Sequence, residues 1–190
     1  MSKIALTPNA SGTGTLTIAA PNTSTDRTLT LPDSTGTIDT LGRAGNVLQV
    51  VQTVYSTDVT VTSTSFQDTQ LSASITPISA SSKILIFVTQ PLLIYQASNA
   101  GIAGGMKLLR GATSIVEHNI TPTISAGTSA GGEIALRTVW SFCYLDSPNT
   151  TSSTTYKTQG KIGSTANSGQ IRFQQNNTEE ASITLMEIAG

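Results

Sequence analysis

The sequence predicts an all-β protein, in which an N-terminal extended arm or β-stalk precedes a jelly-roll-like β-sandwich. Charged residues make up only 11% of the 190 residues, against about 25% in ordinary domains, and Ser, Thr, Asn and Gln supply the polarity instead. Thr, Val and Ile favour pleated, half-buried surfaces. Short runs that alternate apolar and polar residues follow one another between turn signals, and no stretch longer than a turn or two has a helical period.

The first zone, residues 1–46, predicts the arm. Two short strands, Thr15–Ala19 and Thr28–Leu31, alternate Leu or Ile with Thr at a period of two. Each is followed by a turn, Pro21-Asn22 in the first case and Pro32-Asp33 in the second. Proline presets the backbone of such turns, and Asn and Asp accept hydrogen bonds from their own backbone.

This arm lacks the apolar side chains that it needs to fold alone. An isolated hairpin is marginally stable in water, and a few aliphatic side chains do not offset the conformational entropy of two dozen ordered residues. We therefore expect the arm to fold against other chains or against a larger particle. We also expect that a monomer does not keep residues 1–46 ordered. The aliphatic residues expected to form the docking or stalk contacts are Leu16, Ile18, Leu29, Leu31 and Ile38.

The second zone, residues 47–190, predicts the sandwich as a separate head domain. The segment "KILIFV" at 83–88 is apolar on both faces, as expected of a strand that is covered on both sides. The turn spacing is typical of a sandwich or jelly roll. Strands are predicted at 47–56, 59–63, 66–76, 83–88, 106–111, 114–119, 133–146, 155–163, 169–175 and 181–188.

The last predicted strand carries apolar residues on both faces. Ile183 and Leu185 share a face with Glu187, whereas Met186 and Ile188 lie on the other face. We interpret Met186 and Ile188 as candidates for an interface between subunits. The alternative is a β-bulge that shifts the register of the strand.

Two stretches of the sequence, one near each end, resemble segments of known virion proteins. "TLTIAAPNTSTDRTLTLPDSTGTI" at 15–38 resembles the N-terminal repeat of tailed-bacteriophage fibre and virion appendage proteins, and "EEASITLMEIAG" at 179–190 is similar to the C-terminal strand of their globular heads. The middle of the chain is similar to trimeric jelly-roll heads of the C1q/TNF type in arrangement only. The resemblance implies a homotrimer, a virion location after synthesis in the host cytoplasm, and an arm whose open apolar faces are closed by symmetry.

Neither composition nor motifs indicate an enzyme. The ten Lys and Arg residues do not cluster, so no nucleic-acid partner is expected, and no run approaches 18 apolar residues, so no membrane insertion is expected. One histidine and one cysteine with no metal-ligand spacing argue against a metal or other cofactor. We interpret His118 as a surface or interface residue and Cys143 as a small buried one, with Trp140 facing the core. Paired carboxylates for glycan cleavage are not evident.

The resulting hypothesis is a non-enzymatic structural protein of a tailed-phage virion: a homotrimeric short fibre that docks through its arm and displays the head. Loops 96–105, 121–132 and 146–154 are candidates for contact with a host surface receptor. A capsid-decorating or cement protein that stabilises the shell is the alternative, and a glycan-binding adhesin is a third. Partners in each case are other virion proteins of the capsid or tail.

Overall fold

A computed structural model describes residues 11–15, 17, 19, 22–26, 28, 43–97, 102–120 and 132–190. The chain divides into two units, Met1–Ile38 and Asp39–Gly190. In the first unit, every described residue is exposed, and the Thr25 amide donates to the Thr23 hydroxyl (3.1 Å) in a local turn. The predicted boundary between arm (1–46) and head (47–190) stays a prediction.

The second unit is built from ten strands, so the all-β fold class is confirmed. Regular helix is limited, among the described residues, to two single 3-10 turns at Ala166–Ser168 and Gln175–Asn177. The strands are β1 (Val47–Tyr55), β2 (Val59–Val61), β3 (Gln67–Ile75), β4 (Lys83–Gln96), β5 (Gly104–Arg110), β6 (Thr113–Ile120), β7 (Ile134–Asp146), β8 (Thr154–Ile162), β9 (Gln170–Phe173) and β10 (Ala181–Ile188).

Two antiparallel sheets pack as a sandwich. In the six-stranded sheet, β4 lies between β10 and β7, and β1 pairs with β10. On the β10 side, β9 pairs with the second half of β4, and β2 pairs with β9. The other, the four-stranded sheet, has the order β3-β8-β5-β6. Without the short strands β2 and β9, these two orders are those of a jelly roll, in which two Greek keys interlock. The jelly-roll-like sandwich expected from the sequence is confirmed.

Strand β4 is longer than its sequence pattern indicates. The apolar run ends at Val88, but the strand continues to Gln96 through Pro91. Proline is disfavoured in a central strand because it cannot donate to the ladder. Here β10 pairs with β4 only as far as Thr89, and β9 begins to pair at Leu92. Pro91 therefore lies in the gap between these two ladders, where no partner on that side is lost.

The core lies between the sheets and follows the period-two alternation of the strands. On β4, Ile84, Ile86 and Val88 face inward and are buried, and the four-stranded sheet contributes Met106 and Leu108 to the same core. The alternation expected for β10 is also confirmed, because Ile183 and Leu185 are buried whereas Met186 and Ile188 are only partly buried. The largest fully buried side chains are Tyr156, Phe173, Leu71, Ile75, Ile84, Ile86, Leu92, Ile94, Met106, Leu108, Ile171 and Ile183.

Buried polar side chains connect the two sheets. Thr158 on β8 donates a hydrogen bond to the amide oxygen of Gln90 on β4 (2.7 Å) and pairs with the Thr69 hydroxyl on β3. All three side chains are fully buried. At one end of the sandwich, Asp146 accepts hydrogen bonds from Arg110 (2.9 Å) and Tyr156 (2.7 Å). These hydrogen bonds form only when the two sheets lie in one alignment. They therefore favour that alignment over others.

Glu187 is the one buried carboxylate of β10, and it ties three segments together. It accepts hydrogen bonds from the side chain of Gln49 on β1 and from the backbone amide of Ile78 before β4 (2.7 Å). Burial by itself raises the pKa of Glu187, but these hydrogen bonds outweigh it and hold the pKa below its usual value of 4.5. The ionised carboxylate is therefore the form that the fold stabilises.

We predict that Gly160→Ala destabilises the fold by about 1–3 kcal/mol, because overpacking a filled core forces side chains out of place. A Cβ at this position would overlap the ring of Phe173 and lie 3.2 Å from the sulfur of Met106, and both side chains are fully buried. Urea unfolding followed by Trp140 fluorescence measures the change. Gly132→Ala is the matched control, because nothing lies within 4 Å of its Cβ; equal effects of the two substitutions would contradict the close approach.

We predict that Glu187→Gln weakens the fold by about 1.5–3 kcal/mol at neutral pH, the usual contribution of hydrogen bonds to a charged group. The folded pKa of Glu187 is depressed. Its stabilising contribution is therefore present above the unfolded pKa and is lost as pH falls through the folded pKa. Free energies of unfolding measured from about pH 6 down to pH 3 should fall more steeply for the unsubstituted protein than for Glu187→Gln. Parallel curves would contradict this assignment.

Candidate assembly surface

The outer face of the six-stranded sheet is apolar where β1, β10, β4 and β7 lie side by side. Four residues stand opposite one another across these strands: Val50 pairs with Met186, Met186 with Leu85, and Leu85 with Leu145. Adjacent strands are about 4.8 Å apart, so this row is about 15 Å wide. Val50 and Leu145 are 56% and 50% exposed, and the two residues between them are partly buried.

The neighbouring rows extend this surface in both directions. Phe87, which is 43% exposed, lies in the next row with Gln52, Thr184 and Cys143. Among the outward-facing residues of β4 from Lys83 to Thr89 and the residues that pair with them, Lys83 is the only formally charged side chain. The other polar members are mainly amides and hydroxyls. We refer to the following residues as the apolar face: Val47, Val50, Val54, Leu85, Phe87, Leu145, Met186 and Ile188.

The outer face of the four-stranded sheet has the opposite character. Lys157 forms an ion pair with Asp68 (2.9 Å), and Lys107 forms one with Glu117 (3.7 Å). Hydrogen bonds to Gln159 and Lys157 lower the pKa of Asp68 even though partial burial raises it. Paired charges and amides are well solvated, so this face is suited to water. The two outer faces therefore differ, since one carries ion pairs and the other carries a row of apolar side chains among amides and hydroxyls. Monomeric proteins rarely expose contiguous apolar patches larger than a few hundred Å².

The structure brings together two of the residues that the sequence assigned to an interface. Met186 and Ile188 both lie on the apolar face and are partly buried. The alternative of a bulge in β10 is not supported, because the one irregularity between β1 and β10 falls at Val47 and Gln49 in β1. The predicted arm contacts lie outside the described residues: Leu16, Ile18, Leu29, Leu31 and Ile38.

Sequence reasoning missed Val50, Leu85 and Leu145 as members of this surface. Each is an ordinary apolar residue in its own strand, and only the register of four strands that are distant in sequence makes them neighbours. One signal was present: "KILIFV" is apolar on both faces. The inner face of this segment is buried in the core, whereas Phe87 on its outer face is 43% exposed.

The interpretation of Cys143 as a buried residue is wrong, because its side chain is exposed. β7 is an edge strand of the six-stranded sheet, and Cys143 lies opposite Phe87 on the outer face. The inward orientation of Trp140 is confirmed, since this residue is only 7% exposed. Aromatic residues on both sides of Cys143 in the sequence suggested a core position, but edge position depends on sheet order and cannot be inferred from neighbours in the chain.

His118 is a surface histidine with an aromatic environment. It lies exposed on β6, and its Nδ1 accepts a hydrogen bond from the indole of Trp140 (3.0 Å). The imidazole also packs edge-on against Trp140 and Phe142, with ring centroids 5.8 Å apart in each case. Neither partner is a nucleophile or an acid. His118 therefore links β6 to β7 across the side of the sandwich, and its contacts are structural.

Other site chemistry is limited in the part of the chain that the structure describes. There, no three His, Cys, Asp or Glu side chains group as metal ligands, and no helix is long and apolar enough to cross a membrane. A depression of about 70 Å³ beside Gln70 and Lys157 is small, since ligand pockets usually enclose about 300–1,000 Å³. Of the three candidate receptor loops, 146–154 is described throughout, and its first residue, Asp146, is buried.

Comparison with known proteins shows only distant similarity. No protein-family model and no curated protein matches this chain. Among solved structures, it is similar to VP2 of infectious bursal disease virus in a subviral particle (12% identity, 75% of this chain, 37% of VP2, TM-score 0.36) and in T=1 particles (12%, 84%, 39%, 0.36). It is also similar to dimeric latent PorU of Porphyromonas gingivalis (12%, 80%, 14%, 0.30). At these TM-scores the similarities support no conclusion about function.

Proposed function

We propose that this chain is a non-enzymatic structural subunit of a tailed-phage virion, a short fibre in which three copies assemble through the apolar face. The observation that carries the proposal is the row formed by Val50, Met186, Leu85 and Leu145, which is in register and whose two end residues are about half exposed. Burial of apolar surface is the main driving force of stable subunit association. The arm then docks the assembly to other virion proteins.

Assembly through this face explains the distribution of charge over the molecule. With Lys83 at the margin, the apolar face brings few like charges together when copies meet. The opposite face, with its Lys157–Asp68 and Lys107–Glu117 pairs, remains in water and is the side available for display. A closed symmetric assembly hides the apolar face of every copy, whereas an open one leaves one face uncovered at each end.

A host receptor, where one exists, would meet the displayed part of the head. We propose loops 96–105, 121–132 and 146–154 for this role, on the basis of their length and their low charge in the sequence. Long loops in compact domains are commonly functional. A loop-exchange experiment, in which purified protein is tested for adsorption to host cells, measures their contribution.

We predict that the full chain is a trimer of about 59 kDa, three times the chain mass of 19.7 kDa. Phe87→Asp should reduce it to monomers because it places a charge on β4, the central strand of the apolar face. Light scattering coupled to gel filtration measures both masses. Ser74→Asp, on the exposed outer side of the four-stranded sheet, is the matched control and should remain a trimer. A monomeric unsubstituted protein at micromolar concentration would refute the proposal.

The same interface should be nearly indifferent to salt. Screening weakens exposed charge–charge attraction but not apolar burial, so the trimer mass should be unchanged between about 0.05 M and 0.5 M NaCl. The measurement is a salt series by light scattering at constant protein concentration. Dissociation of the trimer in moderate salt would show that charged contacts, and not the apolar face, hold the copies together.

A further inference from the structure

The free edge of β7 is unusual among the sheet edges of this molecule. β7 pairs with β4 from Asp146 opposite Ile84 to Ile134 opposite Gln96, with no register shift along its 13 residues. Within the described ranges, no strand other than β4 pairs with it. A long, regular edge strand presents a row of backbone donors and acceptors that another strand can occupy.

The other described edges are short or interrupted. β2 has three residues, and β1 is irregular between Val47 and Gln49. β3 is irregular between Asp68 and Ser72, where Gln70 has a left-handed backbone conformation (φ 69°). The ladder between β5 and β6 shifts at Leu108 and Leu109. Such features are the usual protection of an edge against further pairing, and β7 lacks them.

The side chains along β7 also lack cover. On its outer side, Val139 and Leu145 are 54% and 50% exposed. On its inner side, Phe142 is only partly buried and Tyr144 is exposed, so the sandwich is open beside the aromatic cluster of Trp140, Phe142 and His118. A strand added here would need apolar side chains toward the cluster and small, β-favouring side chains on its other face.

The N-terminal segment 15–31 has this pattern. Its sequence "TLTIA" and "TLTL" places Leu or Ile at every second position and Thr between them. Every described residue from 15 to 28 is exposed. The strands carry no charge, because Asp26 and Arg27 fall in the turn region between them. An extended segment with an apolar face and a sheet edge with an uncovered side are complementary.

We infer that a strand from segment 15–31 of one copy, Thr15–Ala19 or Thr28–Leu31, adds to the free edge of β7 of a neighbouring copy, with Leu and Ile toward the aromatic cluster and Thr on the outer side beside Cys143. The inference rests on the proposed function in that it requires copies to be adjacent. It specifies what one strand of the arm binds, the head of another copy of this chain, and the rest of the arm remains to dock the assembly to other virion proteins. Three such exchanges around a threefold axis close without leaving a free β7 edge.

Cys143, the only cysteine, provides a reporter at this edge. Facing residues on adjacent strands have Cβ atoms about 4.5–5.5 Å apart, close to the separation that a disulfide spans. We would place a second cysteine in the full chain by Thr15→Cys, Thr17→Cys, Thr28→Cys or Thr30→Cys, oxidise gently, and separate the products on a denaturing gel without reductant. At least one substitution should give covalent dimers and trimers in more than about half of the chains.

Matched controls separate strand pairing from chance collision. Ser24→Cys lies in the turn region and Ile18→Cys on the inward-facing side, and each should cross-link at least tenfold more slowly. Addition of Cys143→Ser should abolish the products. The inference is overturned by preferential cross-linking of Ile18→Cys, by a bond within one chain only, by Cys143–Cys143 dimers as the main product, or by no cross-linking although both thiols react with a small disulfide reagent.

Light scattering on the same samples separates this inference from the proposed function. A trimer that fails to cross-link shows that assembly through the apolar face stands and that strand addition to β7 is wrong. Monomers that fail to cross-link show that both are wrong. Cross-linked trimers that dissociate with Phe87→Asp when reduced support both, because the added strand then depends on copies that the apolar face brings together.

Discussion

The pairing of β4 along its entire length is the constraint on which the rest of the structure depends. β7 follows it on one side from Ile84 to Gln96, and β10 and β9 divide the other side between them. Because side chains alternate across a strand, one register sets both faces at once. A slip of one residue would exchange the core residues Ile84 and Ile86 with the outer residues Leu85 and Phe87. The interior of the sandwich and its apolar face are therefore fixed together.

Polar contacts between the sheets restrict how they pack. The hydrophobic effect is non-directional, so it favours burial of Ile86 or Met106 without fixing a single alignment. The hydrogen bond from Thr158 to Gln90 and the contacts of Asp146 with Arg110 and Tyr156 join the two sheets at defined points. A displacement of one sheet would leave these buried groups unpaired at a cost of about 1–3 kcal/mol each. The packed sheets thus hold the apolar face in one shape.

The sequence predicted the strands of the head and their sandwich class, but not which edges and outer faces stay exposed. All ten strands predicted for the head are present, because alternation and turn residues are local properties, whereas the two strands predicted in the arm fall largely outside the described residues. The extension of β4 past Pro91 was missed, since the gap between β10 and β9 that accommodates a proline exists only in the assembled sheet. Cys143 was placed in the core for a related reason: its neighbours Phe142 and Tyr144 are aromatic, and nothing local marks β7 as an edge.

Of the apolar face, the sequence indicated Met186 and Ile188, because the last strand is apolar on both sides. Val50, Leu85 and Leu145 could not be assigned, because they come from strands about 35 to 95 residues apart whose contacts depend on long-range pairing. The sequence by itself determined which segments are strands and which faces are apolar, since both follow from periodicity and side-chain chemistry. Only the tertiary structure decided which apolar side chains are covered and which edge stays open, because strand order and register arise from hydrogen bonds between distant segments.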